Sequence, residues 1–114
     1  MIEWNVVKHK DLSVSQGLNI ANLKAQHWRY GIESQIRWMR DNLKDDDYHL
    51  LGVEQDGDRQ ILKAYMTLTN IMVEIDSQLF EYVGVGCVCV DIASHHQGIG
   101  RILMMEAERF IRNQ

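Results

Sequence analysis

Val88-Cys89-Val90-Asp91-Ile92-Ala93-Ser94-His95-His96-Gln97-Gly98-Ile99-Gly100-Arg101 is the stretch that decides the fold. An apolar strand runs into a short polar loop, and the loop opens into a helix. Along that helix Ile99, Leu103, Ala107 and Phe110 or Ile111 recur at helical spacing and form an inward stripe. The first turn of a helix leaves its N–H groups without intrahelical acceptors, and their dipoles sum to a partial positive charge. Gly98 and Gly100 carry no side chain, so a ligand can approach that backbone closely. The segment reads as an anion cradle suited to a phosphate or pyrophosphate. A dinucleotide fingerprint would need a third glycine where Leu103 stands. A triphosphate loop would need Gly-Lys-Ser/Thr where the chain has Gly100-Arg101-Ile102. A tight strand-to-helix connection without any ligand is the alternative reading.

Upstream, Ile2 to Val7 is short and β-branched and predicts a first strand. Asp11 to Ser15 holds capping candidates, and Leu18, Ala21, Leu23, Ala25 and Trp28 follow at roughly helical intervals until Tyr30-Gly31. Ile32, Ile36, Met39 and Leu43 then make the single stripe of a second helix. Asp45-Asp46-Asp47 ends it and reads as a solvated loop. Tyr48 to Gln55 is strand-like, and Asp56-Gly57-Asp58 is a tight-turn signal. Ile61 to Asp76 predicts a long strand whose apolar parity switches at Ile71, so a bulge near Asn70 would keep both sets buried. Ser77 to Glu81 is the next turn. Tyr82 to Ile92 is nearly all apolar, as expected of a strand buried on both faces. The last helix is predicted from about Gly98 to Arg112. The order β-α-α-β-β-β-α predicts one α/β domain over residues 1–114, an α+β mixed sheet with helices packed on it.

Composition narrows the function. Apolar residues make up 46% and charged residues 25%, which excludes a disordered chain. The formal charge of -4 argues against a nucleic-acid partner, which requires Lys and Arg to displace counterions. No apolar run approaches the ~20 residues that span a bilayer, so no membrane partner is expected. The start, MIEWNVVKHKD, has no secretion-signal pattern, and with two cysteines a cytoplasmic, reducing location is the expectation.

The order of elements, and the loop His95-His96-Gln97-Gly98-Ile99-Gly100 followed by Arg101-Ile102-Leu103-Met104, resembles the GCN5-related N-acetyltransferase (GNAT) family. That family's central motif is a strand ending in valine, a short loop, and Arg/Gln-x-x-Gly-x-Gly/Ala opening a helix. Val90 would be the strand valine, and His95 stands where the family usually has Arg or Gln. The resemblance covers the whole chain as the family's first strand, two helices, next three strands and third helix. The stretch His27-Trp28 through Glu33-Ser34-Gln35 and Trp38 resembles a bacterial branch of the family. The resemblance implies acetyl transfer from acetyl-CoA, as cosubstrate, to a small-molecule or peptide amine. Backbone groups of Val88, Cys89 and Val90 would pair with the pantetheine amides. Backbone N–H groups of His95, His96, Gln97, Gly98, Ile99, Gly100 and Arg101 would hold the pyrophosphate. Gly84 and Gly86 fit a strand that bulges or splays to admit the cosubstrate.

No catalytic residue transfers by motif. Gly84 stands where some members carry a basic glutamate, and the family's fifth strand and fourth helix, with its tyrosine, would follow Gln114. Asp91 and Glu81 are the nearest acids and read as a strand-end cap and a turn residue. The expectation is a truncated domain with impaired transfer, or a non-catalytic module that binds coenzyme A. The strand Tyr82 to Ile92 would then be an exposed edge through which two copies pair as a homodimer.

Cys87, Cys89, His95 and His96 match no common zinc spacing, so no metal is expected, and the thiols read as small buried filler. His27, Trp28 and Trp38 could line an acceptor pocket, but an aromatic core stripe is the favoured reading. Met104 and Met105 read as core packing.

Overall fold

A computed structural model describes residues 1–113. The order is β1 (Ile2–Lys8), α1 (Val14–Ala25), α2 (Ile32–Asn42), β2 (Tyr48–Asp56), β3 (Arg59–Ile75), β4 (Gln78–Val90) and α3 (Ile99–Arg112), with 3-10 turns at His9–Asp11 and Ile92–Ser94. The strands form one four-stranded sheet in the order β1-β2-β3-β4, and each neighbouring pair is antiparallel. The α+β layout is as expected. The parallel pairing that a mixed sheet would contain does not occur among the described residues.

Local chemistry accounts for the boundaries. Ser13 caps α1 in a reciprocal box: its hydroxyl accepts the Gln16 N–H at 3.0 Å, and the Gln16 carboxamide accepts the Ser13 N–H at 2.9 Å. Gly57, at φ +62, turns β2 into β3 in a conformation that side chains resist. The β3–β4 turn is tighter than expected. Asp76 and Ser77 supply it with positive φ, and Glu81 lies within β4.

The sheet has two apolar faces. Leu50, Ala64, Met66 and Leu68 pack on Ile99, Leu103 and Ala107 of α3, with Phe110 and Ile111 at the margin, which is the expected inward stripe. Leu51, Tyr65 and Cys89 pack on Ile20, Leu23 and Met39 of α1 and α2.

Several expectations fail for identifiable reasons. The acid run is not wholly solvated: Asp47 is buried, because its carboxylate accepts the N–H groups of Lys44 (2.8 Å) and Asn70 (3.2 Å). Its carbonyl accepts the His9 N–H at 2.7 Å, so it ties the segments that follow β1 and α2 to the interior of β3. On α2 the buried positions are Gln35 and Met39, while Ile32 and Ile36 are exposed, because α2 lies chiefly against α1. No bulge occurs at Asn70, which pairs in register with Val83. The apolar parity switch needs none, since Ile71, Met72 and Ile75 lie beyond the helices and are exposed. For the same reason β4 is not buried on both faces: it is an edge strand, with Tyr82, Val85 and Val88 exposed. Met104 and Met105 are exposed on α3.

Candidate active site

The bulge falls at the end of β4 instead. Tyr65 pairs with Cys89 and Thr67 with Gly86, so Cys87 and Val88 together oppose Met66 alone. Cys87 takes the extra turn at φ +52. Gly84 and Gly86 do not make the bulge; they leave room for cross-strand neighbours. A Cβ at Gly86 would lie 3.0 Å from the Thr67 hydroxyl, and one at Gly84 would lie 2.9 Å from that of Thr69.

Past the bulge the strand re-enters register. The Asp91 N–H donates to the Lys63 carbonyl at 2.8 Å, so by strand alternation the main-chain groups of Cys89 face β3 and those of Val90 face outward. Cys89 therefore offers the open edge nothing, and the expectation that its backbone pairs with pantetheine is corrected. Its thiol lies in the core, where burial first and neighbouring Cys87 second push it up to about 12. The outward Val90 carbonyl accepts the His27 ring N–H at 2.7 Å, and the His95 ring, stacked on His27, lies 3.3 Å from the same oxygen. Both imidazoles of this pair thus position the loop, and His27 is not an acceptor-pocket residue.

The loop is held by α1. The Gln26 carboxamide accepts the Ile92 N–H at 2.9 Å and donates to Asp91 at 3.0 Å. Asp91 also receives Lys63 Nζ at 3.5 Å and the Ser94 hydroxyl at 3.3 Å. Burial works to raise Asp91, but the Gln26 amide, Lys63 and Ser94 outweigh it and hold the carboxyl below its ordinary value. Asp91 is the strand-end anchor expected of it.

Beyond this anchor the turn into α3 carries unspent donors. The His95 N–H donates to the Ile92 carbonyl at 3.2 Å and so does not face a ligand, against expectation. From His96 through Arg101, by contrast, no acceptor among the described residues meets a main-chain N–H; the first such bond runs from Ile102 to the Gly98 carbonyl. Positive φ falls at His96 (+70) and Gly98 (+75), the kind of turn backbone that forms anion-binding concavities. Nothing lies within 4 Å of a Cβ at Gly98, and at Gly100 only Val90 does, at 3.9 Å, so the cradle is open. Ile99 points its side chain into the core and contributes its N–H alone.

On the helix side of the sheet a cavity of about 480 Å³ is lined by Lys24, Trp28, Tyr30, Ser34, Gln35, Trp38 and Cys87. It reaches the bulge through Cys87. Trp28 and Trp38 remain 36% and 41% exposed, so they are cavity walls and not the core stripe that was the favoured reading. Periodicity could not tell these apart, because Trp28 lies in the turn after α1 and Trp38 on α2, and only the packing of those segments decides what the rings line. The structure also holds a buried polar chain that the sequence did not reveal. The Tyr65 hydroxyl and His49 Nδ1 share a hydrogen bond of 2.6 Å, and His49 Nε2 and His9 Nδ1 share one of 3.0 Å. Among the described residues no three His, Cys, Asp or Glu side chains gather as metal ligands. Likewise no helix is long and apolar enough to cross a membrane.

An antiparallel sheet with a bulged edge strand, followed by a run of unpartnered amides at a helix start, defines an α+β domain. Solved structures place it more closely. The chain is 28% identical to Escherichia coli ElaA, covering 96% of this chain and 69% of that one at a TM-score of 0.64. It is 24% identical to an acyl-CoA N-acyltransferase from Pseudomonas aeruginosa, covering 99% and 70% at 0.69. It is 15% identical to a Trypanosoma brucei acetyltransferase, covering 99% and 76% at 0.65. No protein-family model and no curated protein matches the chain. The fold is that of the GCN5-related N-acetyltransferases, as the loop motif implied.

Proposed function

We propose that the chain is an acyl-CoA-dependent N-acyltransferase, using acetyl-CoA and a primary amine in a reducing cytoplasm. The observation that carries this is the run of unspent N–H groups from His96 to Arg101 at the foot of a bulged, open strand edge. Those amides and the α3 dipole suit the diphosphate of coenzyme A. The outward main-chain groups of Val90, its carbonyl shared with His27, suit the pantetheine arm, and those of Val88 in the bulge would extend the contact. Bound acyl-CoA would supply a thioester carbon: the neutral amine bonds to it, the C–S bond breaks with its electron pair leaving on sulfur, and the proton lost by the amine ends on that thiolate to give free coenzyme A. The chain's part is to hold both partners and to offer N–H groups of the bulge at Cys87 and Val88 to the thioester oxygen. The cavity walls carry no carboxylate and no imidazole, so proton removal would fall to water.

Coenzyme A at one hundred times its Kd is expected to stabilise the fold by about 2.7 kcal/mol, and to raise the melting temperature by roughly 10 °C. Pantetheine, which lacks the diphosphate, should shift it far less. No shift with coenzyme A would overturn the reading. Because β4 is paired on one side only among the described residues, turnover of acetyl-CoA with a panel of polyamines and peptides should stay below about 1 s⁻¹, the low end of ordinary enzymes. Ordinary turnover would remove the impairment. A melting shift with no turnover at all would favour a coenzyme A-binding module, which the absence of a base on the cavity walls also suits.

The free edge supports a second proposal, self-association. The part of β4 before the bulge exposes Leu79, Phe80, Tyr82 and Val85 beside unpaired backbone groups. Sedimentation at rising concentration is expected to show a dimer, and Val83→Pro should weaken it. A monomer throughout would refute the pairing.

A further inference from the structure

The cavity beside the bulge has a floor with a specific chemistry. Lys24 and Gln35 are only 3% and 6% exposed. Lys24 Nζ sits 4.5 Å from the centre of the Trp38 ring, and no carboxylate among the described residues forms an ion pair with it. Neither the Lys24 ammonium nor the Gln35 carboxamide has a hydrogen-bond partner in the described protein. Yet among the described residues no buried side-chain nitrogen or oxygen is left both enclosed and unpaired. The two polar ends therefore keep some solvent contact, and the cavity is a space that both residues line. A nearly buried cation without a counter-ion is costly, and a protein of net charge -4 has carboxylates enough to have paired it. Ser34 adds a hydroxyl on the same wall, and Trp28, Tyr30 and Trp38 supply apolar faces.

We infer that this cavity takes an acceptor that carries a carboxylate and an apolar body of amino-acid size, the carboxylate lying between Lys24 and Gln35. This deepens the transferase reading and rests on it for the word acceptor, while the carboxylate site itself stands on the cavity's own donors. An ammonium and a carboxamide N–H brought to one cavity by adjacent helices suit the two oxygens of a carboxylate. The cavity volume lies within the range of about 300–1,000 Å³ usual for small-molecule sites. A site whose buried donors are satisfied only by the ligand's charge rejects the analogue that lacks it.

The test separates binding from chemistry. Trp28 and Trp38 report occupancy by fluorescence, with 3-phenylpropionate as probe and 3-phenylpropanamide as its neutral isostere. Saturable quenching by the carboxylate, at least tenfold tighter than by the amide, is expected. Lys24→Met should weaken the carboxylate tenfold or more and leave the amide unchanged, Lys24→Arg should restore most of the difference, and Gln35→Leu should lose part of it. Equal binding of the two probes, no saturable quenching, or undiminished binding to a folded Lys24→Met protein each overturns the inference. If Lys24→Met fails to fold, the comparison of probes on the unaltered protein and Gln35→Leu still decide. Coenzyme A binding is followed on the same samples by melting temperature. Its failure alongside carboxylate selectivity would sink the transferase reading and leave this site standing, and the converse result would do the reverse.

Discussion

Gly100→Asp is expected to abolish coenzyme A binding while leaving the free protein as stable as before, or slightly more so. A Cβ at position 100 meets only a Val90 methyl group, at the ordinary distance of 3.9 Å, so the fold accepts the side chain. An aspartate in the first turn of α3 faces the positive end of the helix dipole, which is worth about 0.3–1 kcal/mol in its favour, and it replaces a poor helix former. The same carboxylate would stand among the amides proposed to grip the diphosphate. It would repel the ligand's charge and spend its donors, and a loss of at least about 100-fold, near 2.7 kcal/mol, is expected. Gly100→Ala, with bulk but no charge, should lose only a few fold. Calorimetric titration with coenzyme A, beside melting curves of the free proteins, checks both halves. The opposite signs matter, because a merely structural glycine would lower stability and binding together. Wild-type affinity in Gly100→Asp would mean the amides from His96 to Arg101 face some other partner.

Much of this site was legible because its signals are chemical and local. Gly98 and Gly100 before a helical apolar stripe can be read from order alone, and α3 begins at Ile99, one residue from the predicted start. The bulge was legible only as a region. Gly84 and Gly86 mark a crowded strand, but the residue that takes positive φ is Cys87, a type that gives no warning. The acid run misled because composition cannot distinguish three solvated carboxylates from two beside one that caps buried N–H groups, as Asp47 does. The pairing of Lys24 with Gln35 on one cavity was not legible for a related reason, although Gln35 lies in the stretch that resembles a bacterial branch of the family. A polar residue on a helix is expected to face water, and only the placement of α2 against α1 turns these two toward a cavity. What the chain order could convey was which elements exist. Which polar groups are sealed between them depends on long-range packing, with no counterpart in residue spacing.

His49 leads to the second large expected effect, a steep loss of stability in mild acid. The ring is fully buried in β2, between the Tyr65 hydroxyl and His9, with Lys24 and Asp47 nearby. Burial first, then His9 and Lys24, lower its pKa from 6.5 to about 4, and Asp47 pulls weakly the other way. The folded chain therefore keeps His49 neutral over a range in which the unfolded chain binds a proton. Above pH 6.5 neither state is charged there and the stability is fully present. As the pH falls from 6.5 to about 4 the unfolded state alone gains the proton, at up to 1.36 kcal/mol per unit, for a total loss of about 3 kcal/mol. Below about 4 the ring charges in the folded state too, and this contribution flattens. Asp91, held below its ordinary value, loses its own contribution only at lower pH, so the two effects separate. Denaturant midpoints at pH 7, 5.5 and 4.5 should fall along this slope. His49→Gln keeps an acceptor for Tyr65 without a titrating ring, and it should start lower at pH 7 yet lose far less between pH 6.5 and 4. Parallel slopes in the two proteins would show that another group carries the acid sensitivity. The imidazole would then be solvated, and the Tyr65–His49–His9 chain would not be the sealed polar seam between β1, β2 and β3 that its geometry describes.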